Sequence, residues 1–214
     1  MSITPLESQP HLRDPRRGAC ALIAINERSR CKSRLSMLLT PAARLELVRS
    51  MLSAVLAAAA GAQTLRHIMV VSPERDTVPA QIPVLADTGQ SLNAALIEAH
   101  RAVLDFGCRE VVILPADLPT ISAADIDAVV RAGRSGGFAI APDSADTGTN
   151  ALCLAIAQPF HFQFGDDSKR LHLETAMRLG LRPQVISLPG LQFDIDSPTD
   201  LNRLEELRWH ARQA

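Results

Sequence analysis

Uniformly apolar runs alternate with stretches of helical periodicity along most of the chain. ACALIAI, Ala19 to Ile25, is apolar at every position, as expected of a strand buried on both faces. The polar stretch NERSRCKSRL follows. Thr40 and Pro41 then combine an N-cap with the residue best suited to the first helical position. Behind them Leu45, Val48, Met51, Leu52, Val55 and Leu56 recur at helical spacing until Gly61. HIMVVS (His67 to Ser72) predicts a second strand, Pro83 to Ala86 a short one, and Ser91 to Gly107 a helix closed by a glycine. EVVILPADLP (Glu110 to Pro119) is a strand stopped by a proline-bracketed turn, and Ser122 to Asp125 resembles a capping box that opens another helix. GFAIAPD and ALCLAIA predict two strands joined by the polar turn SADTGTN. Leu171 to Leu179 reads as helix, QVISLP as strand, and Ser197 to Asp200 as the cap of the last helix.

Strands that alternate with helices and are themselves apolar throughout predict an α/β fold with a mostly parallel sheet covered by helices on both faces. Neither a repeat nor a linker divides the chain. The expectation is one domain over residues 19–214, preceded by a loose, proline-bearing tail over residues 1–18 that lacks the apolar core of a signal peptide. In such sheets ligands bind beyond the carboxyl ends of the strands, so the polar residues that follow strands hold the interest.

Composition narrows the classes. The chain of 214 residues is 47% hydrophobic and carries a net charge of −1, so no basic surplus draws it to nucleic acid. Its four cysteines (Cys20, Cys31, Cys108, Cys153) form no CxxC pair, the usage of a reduced, cytoplasmic protein without a structural zinc. The uncharged stretch from Ser50 to Leu65 is too short to span a membrane and reads as a buried helix. Around Met51 to Ala60 it offers more apolar surface than one face needs, which leaves room for a homodimer.

Four segments carry candidate chemistry. Arg28, Arg30, Lys32 and Arg34 lie in the loop after the first strand, where a basic loop suits a polyphosphate; the other reading is a solvated basic surface. No GxxxxGK[ST] is present, so this is not a P-loop. Asp117, just past a strand, suits either a hard cation such as Mg²⁺ or a plain turn between Pro115 and Pro119. Asp194 and Asp196, two apart in FDIDSPTD, would share a strand face with Ile195 turned to the core. Two like charges so close favour a bound divalent cation; the other reading places one in a turn and the other in solvent. Asp200 sits at N3 of the next helix and reads as a cap. DTGTN (Asp146 to Asn150) and FGDDSKRLH (Phe164 to His172) are hydroxyl-bearing turns. Ser168 opens a helix whose N–H groups, with Lys169 and Arg170, would suit an anion, or only caps it. His172 reads as a catalytic aid or a capping and packing residue, and His67, His100, His161 and His210 as structural. No cysteine, serine or histidine is arranged as a nucleophile with its base.

Taken in order, IAINERSRCKSRL, SLNAAL, VVILPADLPTISAADIDAV, APDSADTGTNALCL, FGDDSKRLH and FDIDSPTDL resemble the phospholactate and phosphoenolpyruvate guanylyltransferases, of the MobA-like nucleotidyltransferases, from about Ala19 to Leu204. The resemblance implies a three-layer Rossmann-like domain. It implies Mg²⁺-dependent transfer of GMP from GTP to the phosphate of a small acid (2-phospho-L-lactate, phosphoenolpyruvate or 3-phospho-D-glycerate), with pyrophosphate released, in synthesis of the deazaflavin coenzyme F420. It places metal carboxylates on Asp117, Asp194 and Asp196, acid-substrate contacts on Thr149, Gly165 and Ser168, the triphosphate loop on Lys32 and Arg34, and the base-proximal segment on Ser91 and Asn93. Lys32, Arg34 and Asp117 would then do the catalytic work, because an attacking substrate phosphate needs no protein nucleophile.

The chain departs from the family in having Asn26 where a lysine is usual, Ala24 in place of a proline, and Leu171 in place of the arginine before the histidine. Asn26 is the mark that an inactive GTP-binding relative would carry. A MobA-like transferase for another phosphorylated acceptor is opposed by the missing glycine-rich loop after the first strand.

Overall fold

In the computed structural model, residues 18–25, 32–86, 91–195 and 197–211 are described, with the side chains of positions 33, 205 and 207–211 excepted. The expected tail over residues 1–17, together with Asn26, Arg28, Arg30, Cys31, Asp196 and the His210 side chain, lies outside them. Seven strands form one sheet: β1 (Ala19–Ala24), β2 (Leu65–Ser72), β3 (Val84–Ala86), β4 (Val111–Pro115), β5 (Phe138–Ala141), β6 (Ala151–Leu154) and β7 (Gln184–Val185), in the order β3-β2-β1-β4-β6-β5-β7. Among the described residues five helices cover it: α1 (Pro41–Gly61), α2 (Leu92–Asp105), α3 (Ala123–Gly136), α4 (Ser168–Arg178) and α5 (Pro198–Ala211).

β1 shows why the sheet is central. Ala19, Ala21, Ile23 and Ile25 enter one core cluster, with Leu52 and Val55 of α1 and Ile126, Val129 and Val130 of α3. Cys20, Leu22 and Ala24 enter a second, with Ala95, Leu96, Ala99 and Val103 of α2 and Ala176 of α4. Alternate residues of one strand thus face opposite helical layers, the expected three-layer arrangement. A third cluster joins Leu35, Leu47, Val48, Met51, Phe193, Ile195 and Leu204, and so packs α5 and the segment before it on the outer face of α1.

β1 runs parallel to β2 and β4, and β2 to β3. β6 runs antiparallel to both β4 and β5, a reversal that apolar periodicity does not encode. Its consequence is positional. Leu152, near the start of β6, pairs with Ile113, near the end of β4. Residues that precede β6 therefore share an edge of the sheet with residues that follow β1 and β4.

Most expected boundaries hold. Thr40 caps α1 by accepting from the Ala43 N–H at 3.2 Å, and Ser122 and Asp125 form the capping box of α3. Ser197 and Asp200 cap α5 in the same reciprocal way, with the Ser197 N–H donating to Asp200 Oδ2 at 2.7 Å and the Asp200 N–H to Ser197 Oγ at 3.3 Å. Two differences matter. The expected strand QVISLP shrinks to Gln184–Val185 at the sheet edge, and Phe193 to Ile195 belongs to no strand. Part of the apolar surface of α1 is covered by the chain itself, since Ala58 and Ala59 lie in the first cluster and Met51 in the third, while Ala57 and Ala60 are exposed. Gly61 lets the end of the helix approach Ala123 of α3 so closely that an added Cβ would lie 3.3 Å from the alanine methyl.

His100 on α2 is buried edge-on against Phe162, and neither ring nitrogen has a partner among the described residues. Burial lowers its pKa from 6.5 to about 4. Between those values the unfolded chain binds the extra proton, so stability is flat above pH 6.5 and falls as pH drops below it. Unfolding free energies from urea titrations at pH 7.5 and 5.5 should differ by about 1.4 kcal/mol from this residue alone. His100→Leu should make the fall shallower, and an equally steep fall in that variant would assign it elsewhere.

Candidate active site

The sheet's carboxyl edge gathers the candidate residues. β1 and β4 end in register at Ala24 and Pro115, and the Ala116 N–H continues the ladder to the Ala24 carbonyl at 3.0 Å. Asp117, one residue on, is therefore held at the mouth of the β1–β4 pair, 8% exposed. Lys32 returns from the loop after β1 to meet it, with Nζ 2.7 Å from Asp117 Oδ2 and side chains 1% and 12% exposed. A charge-assisted bond so far from water is strong, and it must be, because desolvating the two ions opposes it. Lys32 adopts φ +39, a left-handed conformation uncommon for a side-chain-bearing residue. The Leu35 N–H donates to the Lys32 carbonyl at 2.9 Å, closing a 3-10 turn over Ser33–Leu35. Leu35, fully buried in the third cluster, anchors that turn. Arg34, within the turn, is exposed.

The same cluster fixes the FDID segment. Phe193 and Ile195 are buried in it and Asp194 between them is half-buried, so the alternation expected of this stretch survives although no strand forms. Leu35, Phe193 and Ile195 thus tie the Lys32 turn to the Asp194 segment. The carboxylates of Asp117 and Asp194 are hard oxygen donors of the kind Mg²⁺ prefers, and the Lys32 ammonium already shows a cation resting on Asp117. Among the described residues no group of three metal-ligating side chains assembles. Asp196, the third expected ligand, lies outside them.

The reversed strand β6 brings DTGTN to this edge. Asp143 shapes the turn, its Oδ1 accepting from the Thr147 and Gly148 N–H groups at 3.0 and 2.9 Å. The Asn150 N–H binds the Ala141 carbonyl at 2.9 Å, which sets Thr149 just before the strand. Thr149 Oγ1 lies 3.1 Å from Ser168 Oγ, the first residue of α4, and 3.1 Å from His172 Nδ1. His172 Nε2 accepts from the Gln163 N–H at 2.9 Å. Thr149, Ser168 and His172 are all buried, and burial pulls the His172 pKa down to about 4. Phe164 packs edge-on against the imidazole at 4.8 Å. Gly165 follows with φ +126, and an added Cβ there would meet nothing within 4 Å. Glycine is needed there for its backbone conformation, while its outer side stays open.

Asn93 does something its sequence context did not suggest. Its Oδ1 accepts from the Phe164 N–H at 2.7 Å and its Nδ2 donates to the Phe164 carbonyl at 3.0 Å. The carboxamide therefore clamps the peptide next to Gly165 and keeps one N–H and one lone pair beyond that clamp. Ser91 caps α2 through the Ala94 N–H at 3.2 Å and is exposed. Lys169 binds Asp146 at 2.6 Å, and Arg170 is engaged by Asp167 and Glu174, so the positive charge expected of this segment is matched by its own acids. Sequence reasoning also missed Gln163 and left His172 open, because a lone histidine carries no pattern that reveals its partners.

An α/β sheet with its charged and hydroxyl side chains at the carboxyl edge is a fold that this chain shares with solved nucleotidyltransferases. A putative nucleotide-diphospho-sugar transferase from Desulfovibrio desulfuricans superposes with a TM-score of 0.71 over 87% of this chain and 85% of its own, at 19% identity. A nucleotidyl transferase from Methanothermobacter gives 0.66 over 91% and 99%, at 18% identity. At such identities the likeness is one of fold. Within that fold, residues 19–212 match the family model described as guanylyl transferase CofC like, and the chain belongs to that family. Its relatives include phosphoenolpyruvate guanylyltransferases from Rubrobacter xylanophilus, 40% identical over 86% of this chain and 92% of the relative, and from Chloroflexus aurantiacus, 38% identical over 86% and 92%. The protein is a guanylyltransferase. Among the described residues no helix is long and apolar enough to cross a membrane.

The buried ion pair is directly testable. Lys32→Met leaves the Asp117 carboxylate buried without its ammonium and should lower unfolding free energy by roughly 2–3 kcal/mol. Adding Asp117→Leu should restore most of that loss. Additive losses in the double-mutant cycle would show that the two groups do not couple.

Proposed function

We propose that this guanylyltransferase moves GMP from GTP to the phosphate of a small phosphorylated acid. Phosphoenolpyruvate is preferred over 2-phospho-L-lactate and 3-phospho-D-glycerate, because it is the acid in the names of the relatives above. The observation that carries the reading is the meeting, at one sheet edge, of a buried cation–carboxylate pair (Lys32 and Asp117) with a buried hydroxyl pair (Thr149 and Ser168). The first suits a triphosphate and a metal, the second a small anion.

In this reading Lys32 and Arg34 hold the β- and γ-phosphates, and Ser91 and Asn93 lie beside the base. Thr149, Ser168 and the open face of Gly165 receive the acid. An oxygen of the acid's phosphate attacks the α-phosphorus as the bond to the bridging oxygen breaks, and pyrophosphate leaves with the electron pair. Both reactants are supplied, so the protein's tasks are alignment and charge stabilisation. Asp117, Asp194 and Asp196 would hold Mg²⁺, which when bound neutralises charge on the triphosphate. The buried Lys32 ammonium stabilises charge on the departing pyrophosphate without first losing water. The resemblance extends the reading to the cytoplasm and to synthesis of coenzyme F420.

Incubation with GTP, Mg²⁺ and each of the three acids should release pyrophosphate and yield a guanylylated acid by mass, fastest with phosphoenolpyruvate. Asp117→Asn, which keeps an acceptor for Lys32 but removes its counter-charge, should lower kcat/KM by about 100-fold or more when assayed well below its lowered melting transition. Absence of product with all three acids sinks the reading.

A further inference from the structure

The hydroxyl pair and its histidine admit a count of hydrogens. His172 Nε2 faces the Gln163 N–H at 2.9 Å, and a backbone amide can only donate. Nε2 is therefore the bare nitrogen, and the ring's proton sits on Nδ1. Nδ1–H in turn points at Thr149 Oγ1, 3.1 Å away, and makes that oxygen an acceptor. Thr149 and Ser168 bring two hydroxyl hydrogens, and the 3.1 Å bond between their oxygens uses one, whichever of them donates. One hydroxyl hydrogen is left for a ligand.

The ring cannot readily escape this arrangement. It is fully buried, walled by Phe164 at 4.8 Å and Phe160 at 6.1 Å. A second proton on Nε2 would oppose the Gln163 N–H. Next in the chain, Asn150 is 6% exposed and its amide nitrogen has no partner among the described residues, which adds a second buried donor.

We propose that His172 is a positioning residue whose Nδ1–H keeps the Thr149–Ser168 pair from spending its second hydrogen on the ring, so that the pair offers one O–H donor to an anionic oxygen of the acceptor acid. This rests on the reading of Thr149 and Ser168 as contacts of that acid. The pocket then favours an oxyanion, which receives that hydrogen, over a ligand that presents only a donor there and leaves the hydroxyl hydrogen unpaired. Selection of this kind acts on acceptor binding and leaves GTP binding alone.

Two replacements separate the two ring nitrogens. His172→Asn keeps a donor near the Nδ1 position and loses the acceptor for Gln163. His172→Gln keeps an acceptor near the Nε2 position and loses the donor to Thr149. The proposal expects the Asn variant to hold its phosphoenolpyruvate KM within about threefold, and the Gln variant to raise it about tenfold or more, with kcat and the GTP KM little changed in either. A purely structural histidine predicts instead that activity follows melting temperature in both. The ¹⁵N spectrum of the wild-type imidazole at pH 7 should show a protonated Nδ1 and a bare Nε2, with the Nδ1–H resonance shifting on addition of phosphoenolpyruvate.

An Nε2–H tautomer, an imidazolium, a resonance indifferent to saturating phosphoenolpyruvate, or a Gln variant with the wild-type KM overturns the proposal. Failure of guanylyl transfer itself appears separately, as wild-type protein that releases no pyrophosphate. The tautomer and the phosphoenolpyruvate shift still decide the role of His172 in that case.

Discussion

A sheet covered by helices on both faces leaves charge nowhere to sit except at the ends of its strands. β1 sends alternate side chains into two separate apolar clusters, and β4 and β6 are likewise buried. A polar side chain within those strands would lose its water without a partner, at a cost of a few kcal/mol. Chemistry is thereby confined to the rim. The reversal of β6 then decides which rim residues meet, since it delivers Thr149 and Asn150 to the edge where Asp117 follows β4. With β6 parallel, the same turn would lie at the opposite edge and the two halves of the site would be a strand length apart.

At that rim the Lys32–Asp117 pair is the least forgiving contact. Both groups are largely withdrawn from water, and each offsets part of the other's desolvation. The 3-10 turn after Lys32 and the third apolar cluster hold the lysine in a backbone conformation it would not choose alone. The cluster also contains Phe193 and Ile195, so packing that stabilises the lysine positions Asp194 as well. A triphosphate and metal arriving here would exchange partners with groups whose desolvation the fold has already met. That is the condition under which fixed charges act strongly on a transition state.

Much of this was legible in the chain. Continuous apolar runs identified β1, β2 and β4, and the residue after β4 identified Asp117. The S-x-x-D and Thr-Pro patterns gave three helix starts because capping is a local matter of side chain and backbone. What escaped was non-local. Strand direction leaves no mark on hydrophobic periodicity, so β6 could not be oriented. FDID alternates like a strand, yet its burial comes from α1 and α5 with no ladder partner. Asn93 looked like a ligand contact in its own helix start, while its amide binds Phe164, 71 residues away. Sequence also does not reveal that part of the apolar excess of α1 is shared with other elements of the same chain.

On the proposed reading, the charges around α4 bear on how a small acid would be recognised there. Lys169 and Arg170 would serve as the obvious anion receptors, and both are matched by carboxylates of their own neighbourhood. The Lys169 N–H, one of the unpaired donors at the helix start, is itself taken by the Thr147 carbonyl at 3.0 Å. Among the described residues, the groups beside Thr149 and Ser168 that would meet an anion are neutral donors, with the helix's positive end behind them. Neutral donors bind less tightly than a guanidinium but are more particular about direction. Directional contact to the acid, and full charges on the nucleotide side, divide the labour between the two halves of the rim. Such a division suits a transfer in which the charged pyrophosphate needs strong stabilisation, while the acid must be aligned and then released with its new group attached.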